Sequence, residues 1–205
     1  MKKIIIIIIL SLCIIISMFL YNLKNADLLT STSSCGFFVG SCSKTYYIIN
    51  SKNGIKIHIP SKWLGLISGE NEKELEYNEM WDPYKEWEDN IIQLNPDFAS
   101  HIEIFGQLDE NTVIFAIRNQ KTWGQDIYKY DINTNKYKFL MYYRNLQSCV
   151  AGKGKIFCTV SVVSEGAARD LKDAIYEYDI DMNKKAKIGV YKTGASSISL
   201  EKVLK

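Results

Sequence analysis

An apolar segment opens the chain and differs from everything that follows it. After Lys2 and Lys3, residues 4–21 contain no charged side chain. A helix over this span rises about 27 Å, which is close to the roughly 30 Å hydrocarbon core of a bilayer. Residues 1–24 are therefore predicted to form a targeting helix, which either stays as a signal anchor or is removed as a signal peptide.

The flanking residues favour a segment that is retained. Cleavage requires small residues in an A-x-A pattern shortly after the apolar run, but Ala26 has Lys24 two residues before it. The basic residues ahead of the run favour a cytoplasmic N-terminus. We therefore expect a single-pass protein of a bacterial cytoplasmic membrane, with its C-terminal domain outside, in the periplasm or at the cell surface. Cleavage would instead give a secreted or periplasmic protein.

Beyond this segment, apolar and polar positions alternate with the period of two that is typical of β-strands. Two stretches look alike, residues 126–136 and residues 173–184. Each has two tyrosines at strand spacing, then an aspartate and a polar turn, then a second strand-like run. The matched tyrosines, Tyr128 and Tyr176, are 48 residues apart. The pattern predicts two β-hairpins that repeat.

A strand, a second strand ending in Tyr-x-Tyr-Asp, a polar turn and a return strand resemble the blades of β-propellers. The resemblance covers residues 110–192. It implies a mainly β fold, with antiparallel sheets stacked as propeller blades or as a sandwich. Propellers typically close with four or more blades, and this chain has length for at most three. We therefore expect an open stack whose unpaired edge is covered by an insertion or by another chain.

The cysteines beyond the apolar segment are even in number, and in an exported chain they predict disulfides. They are Cys35, Cys42, Cys149 and Cys158. If Lys153 and Gly154 form a two-residue hairpin loop, the register places Cys149 opposite Cys158 on a non-hydrogen-bonded pair. Its α-carbons would then lie near 4.5 Å apart, within the span of a disulfide.

Cys35 and Cys42, by elimination, would close a small loop ahead of the β domain. Pairing of Cys35 with either of the other two cysteines stays open. This division predicts three parts after the helix: a linker with a disulfide loop over residues 25–44, a β domain over residues 45–205, and an acidic helical insertion within it at residues 70–90.

The acidic insertion carries nine acidic side chains against two lysines. Its aromatic residues recur at the spacing of one helix face, and Asp82-Pro83 is placed to begin a second short helix. One interpretation is a helical insertion whose aromatics pack on the sheet. The other is a docking site for a basic protein, because tryptophan and tyrosine dominate binding hot spots. The residues predicted for partner binding are Tyr77, Trp81, Tyr84 and Trp87.

One set of short motifs suggests a serine acyl-enzyme. The motifs Ser41-Cys-Ser-Lys44, Tyr143-Arg-Asn145 and Lys192-Thr-Gly194 resemble the S-x-x-K, Y-x-N and K-T-G elements of penicillin-binding proteins and β-lactamases. That resemblance would make Ser41 the nucleophile, Lys44 its base and Lys192 a clamp on the substrate. Those enzymes place the serine at the start of a buried helix, whereas Ser41 precedes a strand. We therefore expect no catalytic residue.

Other chemistry finds little support in the sequence. The net charge of +2 does not call for nucleic acid as a partner. His58 and His101 fall on the polar positions of strand-like runs, which is typical of solvent-facing residues. Phosphate-binding glycine loops, H-E-x-x-H motifs and calcium loops are absent from the sequence. We expect neither a metal nor a small-molecule cofactor.

An exported and disulfide-stapled β scaffold without a catalytic motif predicts a non-catalytic, membrane-tethered module that binds another protein. One concrete version is an immunity protein that neutralises a toxin arriving in the same compartment. One alternative is a hydrolase that acts on the cell wall, through Ser41 or through carboxylates of the acidic insertion. Another is an accessory subunit of an envelope complex.

Overall fold

A computed structural model describes residues 2–35, 42–68, 84–119, 121–122, 124–144, 146–162, 172–192 and 198–204. The helices in these ranges are α1 (Lys2–Asn25), α2 (Leu64–Ser68) and α3 (Lys85–Leu94), with 3₁₀ turns at Ser61–Trp63 and Pro96–Phe98. The strands are β1 (Leu28–Cys35), β2 (Cys42–Asn50), β3 (Ile55–Ile59), β4 (Ile102–Asp109), β5 (Thr112–Asn119), β6 (Gly124–Asp131), β7 (Lys136–Tyr143), β8 (Leu146–Gly152), β9 (Lys155–Val162), β10 (Lys172–Tyr178), β11 (Lys184–Lys192) and β12 (Ile198–Val203).

The strands form three antiparallel sheets of four strands each. Sheet 1 has the order β12-β1-β2-β3, sheet 2 the order β4-β5-β6-β7, and sheet 3 the order β8-β9-β10-β11. Sheets 2 and 3 each use four consecutive strands, as a propeller blade does. Sheet 1 instead takes its first strand from the C-terminus. The predicted mainly β fold of stacked, blade-like antiparallel sheets is confirmed.

The predicted hairpins are present with the expected turns. The repeated stretches form the pairs β6–β7 and β10–β11. In the β8–β9 hairpin, Lys153 and Gly154 both have positive φ, at 52° and 72°. Two such residues make the two-residue turn that matches strand twist. Cys149 then lies opposite Cys158 with α-carbons 4.2 Å apart, and the two form the predicted disulfide.

Sheet 3 is the middle layer of the stack. One of its faces shares a core with sheet 2, where Ile156 and Tyr178 pack with Ile114. The other face shares a core with sheet 1, where Phe157 packs with Leu28. Because both faces of sheet 3 are buried, its strand β9 has apolar residues on both faces rather than on alternate positions alone.

Helices cover the two outer faces of the stack. On sheet 1, Leu29 and Ile48 pack under Leu64 of α2 and beside Leu23 of α1. On sheet 2, Phe115 packs under Ile91 of α3.

The expected linker over residues 25–44 is wrong. Most of this segment belongs to strands β1 and β2, and β1 is an inner strand of sheet 1, paired with β2 on one side and β12 on the other. Its composition, Leu-Leu-Thr-Ser-Thr-Ser-Ser-Cys, looks like that of a loop, yet Thr30 and Ser31 are buried. A strand flanked on both sides has its polar backbone satisfied, so small polar residues can be buried there.

A buried carboxylate joins the base of α1 to sheet 3. Asp27 accepts hydrogen bonds from the backbone N–H and the hydroxyl of Ser51, and its Oδ2 lies 2.7 Å from Nζ of Lys155. Burial by itself raises the pKa of Asp27, but the hydrogen bonds from Lys155 and Ser51 outweigh it and hold the pKa below its ordinary value. The ion pair links the start of sheet 1 to β9.

This network predicts a pH-dependent stability. Folding lowers the pKa of Asp27, so its ionised carboxylate contributes its full stabilisation above the pKa of the unfolded chain, near 3.8. That stabilisation is lost as the pH falls through the lower pKa of the folded protein. The variant Asp27→Asn should unfold about 1–2 kcal/mol more easily at neutral pH and should lose less stability than the wild type on acidification. Urea unfolding of the full-length protein in nonionic detergent, at about pH 7 and pH 3, measures both effects. Parallel pH dependences for the two proteins would contradict this assignment.

Candidate protein-binding surface

Six strands end the three sheets in the described part of the chain. Three of them, β4, β8 and β12, lie beside one another, because β4 and β12 both contact β8, and this leaves β3, β7 and β11 as the outer edges. An edge strand presents a row of backbone N–H and C=O groups to which an extended segment of another protein can pair. Proteins protect such edges with short strands, lysines and register shifts. The three edges differ in how well they are protected, and this difference identifies a candidate binding surface.

Strands β3 and β11 have the protective features. Strand β3 has five residues, among them Lys56 and an exposed His58. Strand β11 has exposed lysines at positions 184, 185 and 187, and its pairing with β10 shifts register twice. Such shifts twist an edge away from a partner. These two edges are poor templates for an added strand.

Strand β7 is less well protected. It has eight residues, and its pairing with β6 shifts register once, between Ile127 and Tyr128. Phe139 is 49% exposed and Tyr142 is 39% exposed, so two aromatic side chains face solvent on this edge strand. Lys136 and Lys138 are also exposed. The strand therefore combines a backbone edge that no described strand pairs with apolar contact area, and its two lysines lie only at its start.

A cluster of aromatic rings packs against β7. Tyr128 stacks on Phe115 at a centroid distance of 5.1 Å, and Phe98 lies 5.3 Å from Tyr137 of β7. Phe139 meets Tyr128 edge-on at 5.5 Å. Burial raises the pKa of Tyr128, with nearby Asp126 adding to the effect, so its hydroxyl keeps its proton at neutral pH. Rigid aromatic packing of this kind holds an edge in one conformation.

Helix α3 flanks the aromatic cluster. It begins at Lys85, just after the predicted Asp82-Pro83 start signal, and Ile91 is fully buried beneath it. Trp87 is half-buried against the cluster, and Tyr84 stacks on it at a centroid distance of 5.6 Å. Part of the predicted aromatic surface therefore packs on the sheet, and both rings keep exposed area. Their role in partner binding stays a prediction, and Tyr77 and Trp81 lie outside the described residues.

A cleft of about 390 Å³ lies at the end of sheet 2 beside β7. Its walls include Lys129, Lys136 and Lys138 together with Tyr137 and Ile180. Nζ of Lys129 forms an ion pair with Asp181 at 3.4 Å. Asp131 also lines the cleft, so its net positive charge comes from Lys136 and Lys138, which suit an acidic side chain of a partner.

The residues proposed for a serine acyl-enzyme have different surroundings. Ser41, Asn145, Thr193 and Gly194 lie outside the described residues, as does the side chain of Lys192, whose backbone ends β11. Nζ of Lys44 lies 3.1 Å from the carboxylate of Glu201, which also accepts a hydrogen bond from Ser31. The ion pair thus crosses β1 and joins its two neighbours, β2 with Lys44 and β12 with Glu201.

The remaining candidates also have local roles. His58 is exposed and meets Tyr47 edge-on at 5.6 Å, and His101 lies in the turn before β4. Among the described residues, no three His, Cys, Asp or Glu side chains are grouped to hold a metal ion. Cys35 lies opposite Cys42 in the β1–β2 register, but their side chains are outside the described part, so that disulfide stays a prediction.

No protein-family model matches the sequence, and no curated protein is similar to it. The acylaminoacyl peptidase of Pyrococcus horikoshii, in an orthorhombic crystal form, has a similar fold with a TM-score of 0.37 and 11% identity, over 83% of this chain and 26% of that one. The β-propeller domain of the Trilobed protease from Pyrococcus furiosus, described as an open velcro topology, has a TM-score of 0.33 and 12% identity, over 81% and 40%. An acylaminoacyl peptidase in complex with Z-Gly-Gly-Phe-chloromethyl ketone has a TM-score of 0.34 and 11% identity, over 83% and 26%.

This chain therefore spans between about a quarter and two fifths of the length of the protease chains that it resembles. With TM-scores below 0.5, these likenesses assign no role to this chain.

Proposed function

We propose that this protein is a non-catalytic, membrane-tethered module that binds another protein on the outer side of a bacterial cytoplasmic membrane. The observation that carries the proposal is the weakly protected edge of β7, with Phe139 and Tyr142 exposed over a rigid aromatic cluster. An extended partner segment would add to this edge by backbone hydrogen bonds, and its apolar side chains would contact the two rings. An acidic residue of the partner would enter the neighbouring cleft.

The base of α1 supports a helix that stays attached. The helix is long and apolar enough to cross a membrane by its length and composition. Its last turns pack on the domain, because Leu23 joins the outer core of sheet 1 and Asn22 is buried. Oδ1 of Asn22 accepts hydrogen bonds from Asn50 at 3.1 Å and Asn53 at 2.8 Å. Removal of the segment would leave the buried amide of Asn50 without this partner, which supports a signal anchor over a cleaved peptide.

The β8–β9 disulfide supports the outer side of the membrane as the location of the domain. Structural disulfides form and persist in oxidising compartments and are rare in the cytosol. Together with Lys2 and Lys3 at the start of α1, this favours a cytoplasmic N-terminus and an external C-terminal domain. A toxin-neutralising immunity protein is the narrower version of the proposal, and an accessory subunit of an envelope complex shares the same binding surface.

Replacement of Phe139 by glutamate tests the binding surface. The exposed ring contributes little to the fold, whereas a hot-spot aromatic at an interface contributes about 2 kcal/mol or more to binding. The variant should therefore reduce partner recovery about 30-fold when the full-length protein is purified from detergent-solubilised membranes of its own cells. Quantitative mass spectrometry of the co-purifying proteins provides the measurement.

Val190→Glu is the matched control, because Val190 is 42% exposed on the edge strand β11 and receives the same charge. This variant should retain the partner. Equal recovery from both variants, or the absence of any stoichiometric protein from the wild-type sample, would refute the proposed surface. A recovered protein toxin would support the immunity version, and recovery of an envelope complex would support the accessory role.

A further inference from the structure

A second apolar surface lies at the base of α1, away from β7. A cleft of about 510 Å³ is lined by Leu23, Ala26, Trp63, Leu66, Ile67 and Leu204. Trp63 is 43% exposed and Leu66 is 85% exposed. Burial of apolar side chains is the main stabilising contribution to folding, so a leucine and a tryptophan exposed side by side with an apolar cleft indicate a contact with something outside the domain.

The cleft is continuous with the apolar surface of α1. Residues 4–21 of the helix are exposed throughout, and Leu23 and Ala26 of the cleft follow within five residues of Tyr21. At 1.5 Å per residue, the cleft lies roughly 3–8 Å beyond the end of the apolar run. The headgroup layer on each side of a bilayer core is about 5–8 Å thick. The cleft therefore falls within the headgroup layer when residues 4–21 span the hydrocarbon core.

The residue types at this level match those of a membrane interface. Tryptophan and tyrosine concentrate where hydrocarbon meets headgroups, because their rings are apolar and their N–H or O–H groups are polar. Tyr21 and Trp63 occupy these positions here, and Lys62 is exposed beside Trp63, where its ammonium can reach lipid phosphates. The short helix α2 presents Leu66 on the same side.

We infer that Trp63 and Leu66 insert into the outer headgroup layer of the bilayer, so that the domain contacts the membrane at a second point beside α1. The inference rests on the proposed membrane anchor. With α1 fixed to the domain by Asn22 and Leu23, this contact holds the stack at a set orientation to the membrane. The edge of β7 is then presented at a defined height rather than at the end of a free tether.

Tryptophan quenching in lipid vesicles tests the inference. The full-length protein is reconstituted into vesicles of phosphatidylcholine and phosphatidylglycerol that carry a spin label near the headgroup end of the acyl chain. Difference spectra between the wild type and the variants Trp63→Phe and Trp87→Phe isolate the emission of each tryptophan. The Trp63 component should be quenched at least about twofold more strongly than the Trp87 component, because Trp63 lies at lipid depth and Trp87 packs on sheet 2.

Leu66→Glu supplies a matched perturbation. A charged residue is unfavourable in the apolar part of the interface, so this variant should weaken the quenching of Trp63 about twofold or more. Leu94→Glu on α3 is the control, because Leu94 is also an exposed leucine and lies outside the cleft. It should leave the quenching of Trp63 unchanged.

Flotation of the same vesicles separates two kinds of failure. Protein that floats with the vesicles but shows equal quenching of Trp63 and Trp87 keeps the membrane anchor and overturns the second contact. Protein that does not float overturns both the second contact and the tether of the proposed function. Floating protein whose Trp63 is quenched selectively, and less so in Leu66→Glu, supports the inference.

Discussion

Replacement of Gly106 by alanine is expected to destabilise the protein by about 3 kcal/mol or more. Gly106 has φ of 133°, a backbone conformation that residues with a Cβ rarely adopt, and it lies at a register shift between β4 and β5. A Cβ at this position would also collide with the carbonyl oxygen of Ala151 in β8. Because that oxygen belongs to the backbone of sheet 3, the two sheets would have to separate to relieve the collision.

Gly154→Ala separates the cost of the positive φ from the cost of the collision with β8. Gly154 also has a positive φ, of 72°, but no atom lies within 4 Å of its hypothetical Cβ. This variant should lose only about 1–2 kcal/mol, the cost of the left-handed conformation. Urea unfolding of both full-length variants in nonionic detergent, followed by fluorescence, gives the comparison. Equal losses for the two variants would show that contact between sheets 2 and 3 tolerates a side chain at Gly106.

Removal of the β8–β9 disulfide is expected to cost about 3 kcal/mol of unfolding free energy. The bridge joins residues nine apart, and closing a loop of this length restricts the unfolded chain by roughly that amount. The double variant Cys149→Ala, Cys158→Ala removes the bridge and leaves no hydroxyl in the core that sheets 2 and 3 share. Its urea midpoint should fall well below that of the wild type under non-reducing conditions.

Reductant provides the internal control for this prediction. Dithiothreitol should lower the midpoint of the wild type by more than that of the double variant, since the variant has already lost this bridge. A double variant that unfolds at the wild-type urea concentration would contradict a stabilising bridge. If native protein from its own cells contained free thiols at Cys149 and Cys158, the external location of the domain would lose its chemical support.

The architecture suits a protein that presents a fixed surface. Sheet 3 is buried on both faces, and the helices on the outer faces of sheets 1 and 2 complete their cores. Among the described residues, each sheet therefore has an outer edge that no further strand pairs, while its faces are covered. An edge held by packed sheets loses little conformational freedom on binding, so more of the contact energy appears as affinity.

Local patterns determined the hairpins. The Cys149–Cys158 pairing followed from a two-residue turn, and the β6–β7 and β10–β11 pairs followed from alternation and polar turns, because a hairpin register depends only on residues close in the chain. The apolar helix α1 was likewise predicted from its own residues, without reference to any contact with the rest of the chain. The start of α3 was not determined in this way, because its N-cap is Tyr84 and the predicted start signal Asp82-Pro83 lies outside the described residues.

Pairings between distant segments depended on the tertiary structure. Leu28 of β1 lies opposite Val203 of β12, and no turn specifies that register. The segment rich in serine and threonine was therefore predicted as a linker, although the structure makes it an inner strand. The order of the three sheets in the stack could not be predicted from the sequence either. Strands such as β5 are apolar on both faces, so their alternation pattern does not indicate which sheet or helix packs on each face. The exposed rings of β7 and the apolar cleft at α1 could be identified only from the tertiary structure. The sequence contains many residues of the same types, and packing decides which of them are buried and which stay exposed.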